Sequence, residues 1–109
     1  MITRITRGTL RPNTEARVFE ILRRAAARHA SPPGMLSVSI SRRVTDRTVE
    51  FVAITIWSDL EQMAAIMGPS WRDVAWLPGL SECVVESSVE ILETVVSSVD
   101  DLVRLEPAV

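Results

Sequence analysis

The stretch Phe51-Val52-Ala53-Ile54-Thr55-Ile56-Trp57-Ser58-Asp59-Leu60-Glu61 decides how this chain folds. Residues Phe51 to Trp57 are aromatic or β-branched apart from Ala53, and they are apolar at both parities. A strand reads this way when both of its faces are covered, so it sits inside a sheet. The next four residues, Ser58-Asp59-Leu60-Glu61, have the spacing of a capping box, in which the Ser58 hydroxyl and the Glu61 carboxylate satisfy free amides at a helix start. A helix is expected from there to about Met67, where Gly68-Pro69 interrupts it.

Working upstream, Thr45-Asp46-Arg47 is a plausible hairpin turn, and the central strand begins near Thr48. Before it, Leu36, Val38 and Ile40 alternate with Ser37, Ser39 and Ser41, the period-two signature of a strand with one apolar face. Ser31-Pro32-Pro33-Gly34 cannot continue a helix, because consecutive prolines lack amide donors and restrict the residue before them. The preceding segment, about residues 14–30, repeats Phe19, Leu22, Ala26 and His29 at helical spacings. Asn13 or Thr14 can cap it, and Glu15 sits favourably in its first turn. Residues 2–10 alternate imperfectly and stop at Arg11-Pro12-Asn13, which makes them the first strand.

Downstream, Ser70 to Trp76 is expected to form a short turn or helix that Leu77-Pro78-Gly79 ends. Leu80 to about Val96 is β-rich, with Glu86-Ser87-Ser88 suggesting a bulge or turn within it. Ser98 to Glu106 is expected to form a terminal helical turn. The order β-α-β-β-α-β is that of the α+β ferredoxin-like fold, an antiparallel sheet with both helices on one face. We assign residues 1–96 to this domain and residues 97–109 to a C-terminal extension. The other face of the sheet would expose an apolar central strand, which a second copy of the chain could cover. Serines 37, 39 and 41 make that face less than wholly apolar.

Totals bound the function further. A chain of 109 residues with 47% hydrophobic residues holds one folded core. The net charge of -2 conceals ten Arg against four acids in residues 1–55 and two Arg against ten acids in residues 56–109. These Arg are scattered over a strand, a helix and a hairpin without the aromatic pattern of a nucleic-acid surface, so complementary halves within a fold or dimer are expected instead. Cys83 is the single cysteine, which excludes an internal disulfide, and neighbouring Glu82 and Glu86 do not favour a thiolate. No secretory leader pattern or membrane-length apolar run is present, and a cytoplasmic protein is expected.

Metal-binding and phosphate-binding motifs are missing, Tyr is absent, and the lone His29 cannot build a zinc site unaided. His29 can serve as a cap, a core member or a proton carrier. Trp57, Trp71 and Trp76 surround the second helix and can either pack in the core or flank an aromatic ligand between sheet and helices. Met63 and Met67, four residues apart, suit packing or an adaptable pocket. Arg7, if turned inward, would require an anion or polar ligand.

The stretch from Phe51 to Glu61, with Pro33-Gly34 before the second strand and the span of residues 2–96, resembles the antibiotic biosynthesis monooxygenase family of dimeric α/β barrels. The resemblance implies a homodimer whose pocket holds a small aromatic or phenolic metabolite and oxygenates it without metal or flavin. The protein would then deprotonate, orient and shield the substrate. Haem-degrading relatives carry an Asn on the first strand, a Trp in the second helix and a downstream His. Here Arg7, Ile66 and Val74 or a neighbour stand at about those places, which argues against haem. The expected pocket set is Arg7, His29, Trp57, Met63, Ile66, Trp71 and Trp76, with no metal or cofactor. A non-catalytic dimeric domain that binds a small ligand, or merely assembles, is the other open reading.

Overall fold

The computed structural model describes residues 1–28 and 32–95. Its elements are β1 (Ile2–Leu10), α1 (Glu15–Arg28), β2 (Met35–Val44), β3 (Val49–Trp57), α2 (Leu60–Met67), a 3-10 turn (Ser81–Cys83) and β4 (Val84–Glu93). The strands form one antiparallel sheet in the order β2-β3-β1-β4. This is the expected ferredoxin-like arrangement, with β3 internal. The expected extension 97–109, its helical turn and His29 lie outside the described residues.

Two local expectations change. The cap of α2 is Asp59, whose carboxylate accepts from the Gln62 amide at 2.8 Å, while the Ser58 hydroxyl is buried without a partner. Ser58 is otherwise engaged, because its amide donates to the Gly34 carbonyl at 2.8 Å. Of the turn or helix expected over residues 70–76, the turn forms, followed by irregular backbone. The last strand starts at Val84, not Leu80, and its register against β1 shifts between Thr9 and Leu10, leaving Val85 as the extra residue instead of residues 86–88.

Register assigns the two faces of the sheet. Ile2, Arg4, Thr6, Gly8 and Leu10 of β1 are all buried, and the first four pair with Trp57, Thr55, Ala53 and Phe51 of β3 along the helix side. Gly8 is required there, since a Cβ would be driven into the Phe51 ring, which lies across β1. The opposite face carries Ile5, Val52, Ile54, Ile56 and Leu92 between the serines of β2 and an Arg7–Glu90 ion pair.

The core on the helix side is split. Leu10, Val18, Leu22, Phe51, Leu80, Cys83 and Val84 form one buried cluster, and Ile2, Trp57 and Met63 form another. Between them the sheet presents Arg4, Thr6, Ala53 and Thr55, residues too polar or too small to close the gap.

Candidate functional site

The gap between the two clusters is a cavity of about 290 Å³ bounded by the sheet, both helices and the segment 74–77. Its walls are overwhelmingly apolar: Leu22, Phe51 and Leu80 at one end, Trp57 and Met67 at the other. Such a chamber, mostly apolar with a few convergent polar groups, is the usual form of a small-molecule site. Ile66 lines it while remaining 45% exposed, which places that side chain at the mouth. A broader groove bordered by Asn13, Glu15, Phe19 and Arg42 is shallower, and its Arg42 is already paired with Glu15.

The polar floor is organised around Arg4, which is 6% exposed. Strand parity turns it inward, toward the helices. Its Nε donates to the Trp71 carbonyl at 3.1 Å, one terminal nitrogen to the Thr6 hydroxyl at 2.8 Å and the other to the Asp73 carbonyl at 2.5 Å. Arg4 thereby fixes a segment that has no regular hydrogen-bond ladder of its own. No described carboxylate lies within ion-pair distance of it, and burial pulls its pKa below the usual arginine range. Among the described residues it is the one charged side chain lining the cavity.

Directly across β1 and β3 from Arg4 stands Thr55, whose hydroxyl accepts from the Trp57 indole N–H at 2.9 Å. Thr55, Thr6 and Arg4 therefore converge on one patch of the floor. No described carboxylate, cysteine or tyrosine lines the cavity, so the patch can stabilise charge but supplies no evident base. Among the described residues no cluster of His, Cys, Asp and Glu could hold a metal ion. No helix among them is long and apolar enough to cross a membrane.

The residues expected at the site are dispersed. Trp57 and Ile66 line the cavity, and Met63 is fully buried in the cluster with Trp57. Trp71 packs against that cluster beneath Arg72, whose guanidinium lies 4.6 Å from the ring centroid, and contributes its carbonyl to Arg4. Trp76 is 49% exposed and does not line the cavity. Arg7 lies on the opposite face of the sheet, bonded to Glu90. Arg4, Thr6 and Thr55 were not singled out from the sequence. The signal that finds Arg4 is its shared parity with Ile2, Gly8 and Leu10.

No protein-family model and no curated protein sequence matches the chain. Solved structures do match it. One, a Nitrosomonas europaea protein assigned as an antibiotic biosynthesis monooxygenase, aligns with a TM-score of 0.69 at 18% identity over 88% of this chain and 100% of that one. SnoaB, a cofactor-independent oxygenase from Streptomyces nogalater, aligns with a TM-score of 0.61 at 22% identity over 88% and 94%. A variant of MhuD carrying two manganese protoporphyrin IX molecules per active site aligns with a TM-score of 0.65 at 18% identity over 90% and 98%. At these identities the likeness is one of backbone, and its conclusion is that this chain has the fold shared by the antibiotic biosynthesis monooxygenases.

Proposed function

We propose that the chain is a cofactor-independent monooxygenase of a small phenolic or otherwise aromatic metabolite. The observation that carries this reading is a buried guanidinium without a carboxylate partner in an apolar cavity, set in the same fold as an oxygenase that works without a cofactor. A positive charge in a water-poor site favours the deprotonated form of a bound phenol, because the anion is stabilised there more than the neutral molecule. Such an anion is electron-rich enough to react with dioxygen. One oxygen atom enters the ring, and the other leaves as water with the two hydrogens that the substrate loses as it becomes a quinone. The electrons come from the substrate.

In this reading Arg4 holds the developing anion, Trp57 and Phe51 bound the ring, and Ile66 partly shields the mouth from water. The proton passes to solvent, since no described lining residue is a base. Oxygen consumption with a panel of mono-, bi- and tricyclic phenols tests the proposal. Turnover of at least one, with quinone and water as products, is the expected result; no uptake with any of them overturns it.

The lack of a base among the described lining residues favours a second reading, a non-catalytic domain that binds a small ligand. It predicts saturable binding with no oxygen uptake. We further propose that the open face of the sheet pairs with a second copy of the chain, supported by its partly exposed apolar strip.

A further inference from the structure

We propose that the cavity floor is a donor-rich cradle that selects a monoanionic oxygen ligand over its neutral counterpart, with Arg4, Thr6 and Thr55 as the recognising groups. The inference rests on the reading that this cavity is the ligand site, and it holds whether or not the ligand is then oxidised.

Hydrogen-bond accounting leads to it. A hydroxyl accepts through its lone pairs and donates a single proton. The Thr6 oxygen accepts from Arg4, and the Thr55 oxygen accepts from the Trp57 indole. Neither hydroxyl donates its proton to a described protein acceptor, so each has one to give to a ligand. The guanidinium can only donate, and the three bonds it makes do not use its whole fork. Three side chains on neighbouring strands thus offer protons to the same region, and no carboxylate beside them offers a lone pair. A phenol or alcohol placed there brings a proton that only the second lone pair of an oxygen already bonded to Arg4 or Trp57 can take, whereas a phenolate, enolate or carboxylate oxygen brings none and accepts from all three side chains.

Charge fixes the count. Among the described residues, ion pairs are made by exposed or half-exposed arginines, those of Arg7, Arg17, Arg23, Arg24 and Arg42 with Glu90, Glu82, Glu20 and Glu15. The buried Arg4 has only neutral acceptors. A buried cation left in this state is costly, and one negative charge on a ligand offsets it. A second negative charge would meet no cation among the described lining residues. The ligand body then extends toward Leu22, Phe51 and Leu80, which can bury rings but not polar groups.

The test is binding under nitrogen, read by calorimetry and by tryptophan fluorescence, with benzoate, 2-naphthoate and 2-anthroate against their carboxamides. At least one carboxylate is expected to bind tenfold or more tightly than its amide, and the preference is expected to fall to near unity in Arg4→Met and several-fold in Thr55→Val. Because Arg4 also fixes residues 71–73, circular dichroism must show Arg4→Met folded; if it is not, the wild-type pairs and Thr55→Val decide. Equal affinities within every wild-type pair, no binding by any carboxylate, or a preference undiminished in Thr55→Val and in any folded Arg4→Met overturns the proposal. Absence of oxygen uptake bears on the oxygenase reading alone, since these measurements exclude oxygen.

Discussion

Arg4 and Arg7 occupy equivalent places in the repeated triplet Ile2-Thr3-Arg4-Ile5-Thr6-Arg7, yet an odd spacing along a strand sends them to opposite faces. One becomes the buried floor of a cavity and the other a half-exposed partner of Glu90. The triplet defeats a simple alternation reading, since Ile2 and Ile5 also diverge. The buried parity is legible only when Gly8 and Leu10 are added to Ile2. Gly8 itself marks where Phe51 crosses β1, a contact between residues far apart in sequence that no local pattern announces. Gly8→Ala is expected to lower stability by about 1–3 kcal/mol through overpacking, seen as a lower urea midpoint with an unchanged slope.

At the scale of elements, the order and most boundaries follow from periodicity, and the departures have particular causes. Ser58 and Asp59 are both good capping residues, and Glu61 has the right spacing to pair with Ser58. The backbone chooses between them. The Ser58 amide is tied to Gly34, and Asp59 adopts the extended conformation (φ -155°, ψ 168°) from which its carboxylate reaches Gln62. Asp59→Ala is therefore expected to cost about 0.5–2 kcal/mol, while Ser58→Ala, which removes a buried hydroxyl with no partner, should be neutral or slightly stabilising. Thermal unfolding of the two variants checks the ranking, and a larger loss at Ser58 would contradict the cap assignment. In β4, the serines and Glu86 resemble an interruption but continue the ladder, because the irregularity is absorbed one residue earlier, at Val85.

For the molecule as a whole, the sheet was readable, and among the described residues of the expected pocket set only Trp57 and Ile66 line the cavity. Its walls come from β1, β2, β3, both helices and the segment after α2, so no single stretch carries its signature. The open face was anticipated by the two-sided apolar character of β3, and it carries Ile5, Val52, Ile54 and Ile56 beside Leu92, which is 47% exposed. Light scattering at micromolar concentration is expected to give the mass of two chains, with Ile54→Asp shifting it toward one by placing an unpaired charge in the interface. A wild-type mass of one chain overturns the pairing.

The divided core has one more consequence. A single continuous core would tie every large side chain to every other, so that a change at one end would strain the far end. Here Val18, Leu22 and Phe51 belong to one group and Trp57 and Met63 to another, with a chamber between them. Side chains that share no contacts contribute to stability almost independently. The chamber can therefore be reshaped from either end by substitution without loosening the anchor at the other, which is the architectural freedom a scaffold needs if the same backbone is to serve ligands of different outline.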